Sequence, residues 1–361
     1  MQVLKPDRVA PPVAGGVSTI KQVAARAGVS FTTVSHVVNR TRPVSDDARI
    51  RVERAIAELG YFPSAVARAL KTSETRILGV IVPNITNPFF AELMRGIEDV
   101  CERSHYSVFL CNGDDDRDRQ GRSLETLLER RVDGVLLATP TGPAAALAKR
   151  LSSARMKTVV VDRRVPGLEA DQVRIDHQAG ARLAVEHLLA LGHRRIACLA
   201  GPSSFAVSRA RVAGWRKALA RAGVTPEDGW LLAGDFRAAD GHELTRRLLA
   251  RGRGVPPTGT GTDITALFAS NDLLGIGALR AAAERGVPVP KSLSIIGFDG
   301  IEMGAFTYPA LTTVGYPIRS IGETAAKVLL DRIAGRRAEV CEVVVVPQII
   351  LRESTGPVPR R

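Results

Sequence analysis

The 361-residue chain is short of cysteine, of aromatics and of catalytic motifs, and each shortage narrows what it can be. Its four cysteines, Cys101, Cys111, Cys198 and Cys341, lie far apart with no C-x-x-C spacing. Neither a disulfide framework nor a zinc knuckle is spelled, and reduced thiols in a cytoplasm are the simplest account. No apolar run approaches the ~20 residues of a membrane span, and MQVLKPDRVAPPVAGG lacks the apolar core of a secretory signal. No membrane partner is expected. The chain holds no G-x-S-x-G elbow, no G-x-x-x-x-G-K-[ST] loop, no G-x-G-x-x-G and no H-E-x-x-H, and its six histidines show no metal-ligand spacing. It is therefore expected to be no enzyme and to carry no catalytic residue, metal or cofactor.

What is present is length and positive charge. A chain this long exceeds one ordinary core and implies two or three domains. The formal charge is +13, and residues 1–76 carry twelve Lys/Arg against six Asp/Glu. Nearly half of the excess sits on a fifth of the chain, which suits a polyanion partner at that end.

Within that basic end, residues 19–39 read TIKQVAARAGVSFTTVSHVVN. Thr19 and Gln22 have capping-box spacing, and Ile20, Val23, Ala24 and Ala27 share one helical face. Gly28 marks a sharp turn, and Ser30 caps a second helix over 31–38. Val34, Val37 and Val38 face back onto the first helix, leaving Phe31, Thr32, Ser35 and His36 outward. A helix-turn-helix with such an outer face fits the DNA major groove. Thr32, His36 and Phe31 are expected at base edges. Thr19, Ser30, Thr33, Ser35, Asn39 and Tyr61 are better placed for phosphates or packing. Ser45 is expected to cap a third helix, with Asp46 and Asp47 at its positive end and Val52, Ala55, Ile56 and Leu59 as its apolar stripe. Residues 1–17, rich in Pro, Gly and Val, read as a disordered arm, and 18–62 as the DNA-binding domain.

The spelling V-A-x-x-A-G-V-S-x-x-T-V-S-x-V-V-N resembles the headpiece of the lactose-repressor family of bacterial transcription factors. The likeness continues through Val44-Ser45, Leu59-Gly60-Tyr61 and Pro63 to Leu70, where it is nearest the purine-repressor branch. It then runs more loosely through almost the whole chain. Ser64 can cap two turns over 65–70, too short to be helical alone in water. The resemblance implies that 63–75 is a hinge whose helix folds only against its symmetry mate in the minor groove. Leu70 then wedges between base pairs, with Ala67 and Lys71 beside it.

From Arg76 onward, apolar strand candidates alternate with helices: 77–82, 106–111, 134–138, 158–161 and 173–175, then 196–199, 230–233, 266–269 and 293–297. Two such series mean two lobes with parallel sheets covered on both faces. The expected fold is an all-α helix-turn-helix headpiece plus an α/β two-lobed domain like the periplasmic binding proteins. By the resemblance, the C-terminal segments cross back between lobes. The expected first lobe is 76–176 with 308–335, and the second 177–307 with 336–356.

Ligands of such sheets bind beyond the strand C-termini. The polar and aromatic groups there are Asn84, Asn87, Phe89 and Phe90 after the first strand, then Asp162, Asp176, Asn271 and Asp299. A carboxylate or amide after nearly every strand suits a polyhydroxylated ligand, although each could equally be a helix cap. The resemblance matches Arg211 and Asp299 to an effector-binding arginine and aspartate, and Phe236 to an aromatic packing on the effector. Tyr316 is a further candidate. Where the purine repressor has an arginine and a threonine on its purine, this chain has Phe205 and Val207, which leaves a purine's polar edge poorly paired.

The reading is a cytoplasmic, effector-responsive regulator, a repressor, binding a palindromic double-stranded DNA operator as a homodimer. A sugar or sugar derivative is favoured as effector. The alternatives are a purine- or nucleoside-responsive repressor, and a soluble sugar-binding receptor without operator binding. Dimer contacts are expected on the 88–104 helix and its counterpart in the second lobe. The chain ends without a leucine heptad, so no tetramerisation bundle is expected.

Overall fold

A computed structural model describes residues 18–39, 41–62, 74–138, 144–163, 165–250 and 264–359. The chain divides into two units, Met1–Thr75 and Arg76–Arg361.

The first unit is a three-helix headpiece: α1 (Ile20–Ala27), α2 (Phe31–Asn39) and α3 (Asp46–Leu59). Thr19 and Gln22 form the reciprocal capping box, and Gly28 ends α1 at φ 63°, where a side chain would be strained. Ser30 Oγ accepts from the Thr33 amide at 3.0 Å and so closes the start of α2. The core is small: Val23, Ala24, Ala27, Val34, Val52, Ala55 and Tyr61. Ser45 stands at the N-cap of α3, but its side chain makes no cap bond. The positive end of that helix is instead met by the charges of Asp46 and Asp47 in the first turn.

The second unit holds, among the described residues, two six-stranded sheets of the same strand order. The first comprises β1 (Ile77–Val82), β2 (Ser107–Asn112), β3 (Gly134–Ala138), β4 (Thr158–Val161), β5 (Asp171–Ile175) and β11 (Glu342–Val345), ordered β11-β5-β4-β3-β1-β2 and all parallel. The second comprises β6 (Ile196–Ala200), β7 (Leu231–Ala233), β8 (Ala266–Ala269), β9 (Ser294–Asp299), β10 (Thr312–Gly315) and β12 (Gln348–Ile350), ordered β12-β10-β9-β8-β6-β7. Only β12 runs antiparallel. Strands β3, β6 and β8 are buried along their whole length, as uninterrupted apolar runs require. The helices of the first lobe are α4 (Pro88–Arg103), α5 (Arg117–Glu129), α6 (Ala144–Ser153) and α11 (Ile318–Ile333). Those of the second are α7 (His177–Ala190), α8 (Ala206–Arg221), α9 (Ala238–Ala250) and α10 (Asp272–Glu284). Helices α4 and α11 pack at backbone contact, because a Cβ on Gly96 would lie 2.0 Å from the Arg319 carbonyl oxygen.

The crossings differ from the expected boundaries at 308 and 336. Strand β10 pairs with β9, Thr312 beside Ile296, and so belongs to the second lobe. Strand β11 pairs with β5, Glu342 beside Gln172, and so belongs to the first. The chain therefore crosses between β10 and α11 and again between β11 and β12. A half-buried clamp on the buried Asp171 fixes this path. Arg332 at the end of α11 grips both carboxylate oxygens of Asp171, at 2.8 and 2.9 Å, and the carbonyls of Ala338 and Glu339. The Cys341 amide donates to the same Asp171. The loop is thus delivered to β5 before it can reach the second sheet.

Candidate ligand cleft and nucleic-acid-facing helix

On the headpiece, the outer face of α2 shows Phe31, 52% exposed, with Thr32 exposed beside it. Ser30, Thr19 and Asn39 are exposed, and Thr33 and His36 are half-buried. His36 is held by a 2.7 Å bond from its Nδ1 to Thr41 Oγ1. Ser35 departs from the expected outward position. It is buried, and the Asn39 side-chain amide folds back onto its carbonyl at 2.9 Å. Tyr61 is buried in the three-helix core. Ala67, Leu70 and Lys71, with the rest of 63–73, lie outside the described residues, as do residues 1–17.

In the two-lobed unit the strand C-termini of both sheets converge on a cleft of about 230 Å³. The first lobe contributes Asn84, Asn87, Phe89, Phe90, Asp114, Asp115, Asp162 and Arg163. The second contributes Phe205, Val207, Arg211, Asp235, Phe236, Arg237, Asn271 and Asp299. Nine of the eleven expected ligand residues line it. Several have local jobs too: Asn87 caps α4 through the Phe89 amide, and Asn271 caps α10 while donating to the Phe236 carbonyl.

The floor is a buried polar chain. Arg211 donates from Nε to His177 Nδ1 at 3.2 Å, to the Ser270 carbonyl, and to Asp299 Oδ1 at 3.0 Å. Its guanidinium lies 4.0 Å from the Phe298 ring centroid. His177 reaches Asp162 through Nε2. Because Arg211 can only donate, Nδ1 must be the bare nitrogen, and Nε2 carries the proton to Asp162. Burial likewise pushes the imidazole below its ordinary range, and the nearby Arg211 adds to this against the pull of Asp162. Burial alone would raise the Asp162 carboxyl, but His177, Arg211 and Arg163 outweigh it and hold it low. Asp162 and Asp299 sit at φ 74° and 120°, in the left-handed region where non-glycine residues are strained. Deeper, Asp272 accepts from the Gly300 and Ile301 amides and from Thr313. Burial, with the Asp299 charge beside it, pushes its carboxyl up to about 7, and burial raises Asp299 to about 6.

Two expected residues fall elsewhere. Asp176 caps α7, accepting from the Ala179 amide at 2.9 Å. Tyr316 lies behind Phe298, its ring centroid 5.6 Å away, and outside the cleft lining. Both follow strands that feed crossings, so their side chains serve the turn and the core. Sequence reasoning did not select Asp114, Asp115, Arg163, Asp235, Arg237 or His177. Arg163 was within reach, adjacent to Asp162 at a strand end; its guanidinium lies 4.9 Å from the Phe205 ring centroid. Phe205 in turn stacks on Phe236, with centroids 6.4 Å apart. Among the described residues no group of three or more His, Cys, Asp and Glu could hold a metal ion, and no helix is long and apolar enough to cross a membrane.

A helix-turn-helix headpiece joined to two parallel-sheet lobes around an aromatic, hydrogen-bonding cleft defines a ligand-responsive DNA-binding regulator. The comparisons agree. Residues 19–64 match the family described as bacterial regulatory proteins, lacI family, and residues 185–355 a periplasmic binding protein-like domain. The ribose operon repressor of Escherichia coli K12 is 38% identical over 93% of this chain and 99% of its own. The transcriptional repressor PurR of Aliivibrio salmonicida is 37% identical over 93% and 98%. Among solved structures, the lac repressor dimer bound to operator and the anti-inducer ONPF superposes with TM-score 0.83 at 30% identity, covering 94% of this chain and 100% of that one. A regulator from Enterococcus faecium with bound ribose gives TM-score 0.68 at 35% identity, covering 78% and 99%. The chain belongs to the LacI family of transcriptional regulators.

Proposed function

We propose that this protein is a cytoplasmic, non-enzymatic repressor that releases or engages a palindromic operator when a monosaccharide, a pentose such as ribose, occupies the cleft. One observation carries the ligand assignment. The cleft joins aromatic faces (Phe89, Phe90, Phe236) to a ring of hydroxyl partners (Asn87, Asp162, Arg211, Asn271, Asp299) in a volume of about 230 Å³. That is below the roughly 300–1,000 Å³ of drug-sized sites and suits one sugar ring. The similarity to a ribose operon repressor and to a ribose-bound regulator supports the same reading. The purine alternative has equal support from sequence identity. It is disfavoured because Phe205 and Val207 both line the cleft and neither can hydrogen-bond a purine's polar edge.

On DNA, Thr32, His36 and Phe31 are assigned to base edges, and Ser30, Thr33, Asn39 and Thr19 to the backbone. One headpiece reads few base pairs, so a dimer is required for a palindrome. The hinge over 63–75 supplies the switch: lobe rearrangement sets whether the paired segments fold on DNA and insert Leu70. A differential of a few kcal/mol is enough to change occupancy. Calorimetry of the full chain with D-ribose, cellobiose and hypoxanthine tests the ligand. Binding of D-ribose alone is expected; binding of hypoxanthine without D-ribose refutes the assignment.

A further inference from the structure

His177 is absent from the residues lining the cleft, yet its ring hydrogen-bonds a side chain of each lobe, beside the second side-chain contact that Arg163 makes with Phe205. It is the first residue of α7, directly after β5 carries the chain out of the first lobe. Its Nε2 bonds Asp162, at the end of first-lobe strand β4, and its Nδ1 accepts from Arg211, on second-lobe helix α8. Both partners line the cleft. We propose that His177 is a positioning residue: a neutral imidazole bridge that holds Asp162 and Arg211 in register across the cleft and so ties effector occupancy to the angle between the lobes.

The geometry sets the requirements of that role. The ring must donate to a carboxylate on one side and accept from a guanidinium on the other, which only the neutral Nε2–H tautomer does. The charged groups facing it are Asp162, Arg163 and Arg211, with Asp299 one bond further through Arg211. Phe298 covers it, with ring centroids 5.8 Å apart. Protonation would set an N–H against the Arg211 guanidinium and remove the acceptor. A lobe opening that drew β4 away from α8 would break the Asp162 bond first, because His177 and Arg211 both stand on second-lobe helices. A sugar hydroxyl pairing with Asp162 and Arg211 stabilises the arrangement in which the bridge is made. His193 supplies the contrast. It is also buried and fully bonded, to Thr265, Ser294 and the Gly356 carbonyl, but those partners all belong to the second lobe. It can stabilise the fold without bridging.

The inference rests on an effector site in the cleft, but its test does not depend on the sugar. The full chain is made as wild type, His177→Leu, His177→Gln and His193→Gln. Glutamine can donate to Asp162 and accept from Arg211; leucine can do neither. Histidine-selective nitrogen-15 spectra should show His177 as the neutral Nε2–H tautomer throughout about pH 5.5 to 8, without titration. Small-angle scattering should show a larger radius of gyration for His177→Leu than for wild type, restored by glutamine and unaltered in His193→Gln. D-ribose affinity should fall about tenfold or more in His177→Leu and recover in His177→Gln. Titration of His177 near its ordinary range overturns the bridge. So does a His177→Leu protein with wild-type scattering. If wild type ignores D-ribose, the pentose assignment fails, and the tautomer and scattering alone decide the bridge.

Discussion

Replacing Arg211 by methionine is the most informative single perturbation of the cleft. Arg211 and Asp299 form a buried pair at 3.0 Å, with side-chain exposures of 8% and 7%. Methionine keeps much of the side-chain volume but removes the charge and the bonds to His177, Ser270 and Asp299. Asp299 is then a buried carboxylate without its cation. Breaking such a pair from one side typically costs about 3–5 kcal/mol. At about 2–4 °C per kcal/mol, the melting temperature should fall on the order of 10 °C. Most of the cost is the stranded charge, so Arg211→Met with Asp299→Asn should recover at least half of the loss. Urea denaturation at pH 7.5 with scanning calorimetry reads both, and effector binding should be lost in both variants. A loss below about 1 kcal/mol for Arg211→Met, or no recovery on adding Asp299→Asn, would refute the idea that this pair anchors the cleft floor.

Other consequences follow from the same geometry. Asp272 is raised to about 7 in the folded protein against an ordinary 3.8, so the fold binds its proton more tightly than the unfolded chain does. Its stabilising contribution is full below about pH 4 and is lost as pH rises through 7. Asp272→Asn should therefore gain stability relative to wild type over that window, by up to about 1.4 kcal/mol per pH unit, and a pH-independent difference between the urea curves would contradict this. Thr32→Ala and His36→Ala should each relax base preference at one operator position at a cost of about 1–3 kcal/mol, read by anisotropy on single-substituted duplexes. Thr19→Ala removes the capping box of α1 and should lower headpiece stability by about 1 kcal/mol, visible as faster amide exchange in α1.

The headpiece was legible because its signals are local. Thr19 with Gln22, Gly28 and Ser30 each satisfy backbone groups within one turn, and the structure uses them as spelled. Ser35 was misplaced because helical spacing alone puts it at the boundary of the buried face; the Asn39 amide that closes over it is a side-chain choice. The cleft-lining residues at strand ends were legible for a topological reason: parallel sheets present their C-terminal loops together. The lobe crossings were not legible. An apolar run such as Val343–Val345 could edge either sheet, and only pairing with β5, enforced by the distant Asp171–Arg332 clamp, decides it. His177 left no signal either, since a histidine opening a helix after a strand reads the same whether it bridges two lobes or none.

The central claim is that occupancy of the cleft by a small sugar changes operator binding. Its most direct test is fluorescence anisotropy of a labelled palindromic duplex, selected by the full-length protein from a randomised pool, titrated in the presence and absence of D-ribose. The account predicts tight, salt-dependent, sequence-selective binding whose affinity shifts about tenfold or more with the sugar, and a shift that vanishes in Arg211→Met. Selective binding with an affinity that no concentration of D-ribose alters would contradict the assigned ligand, and failure to select any palindrome would contradict the whole account.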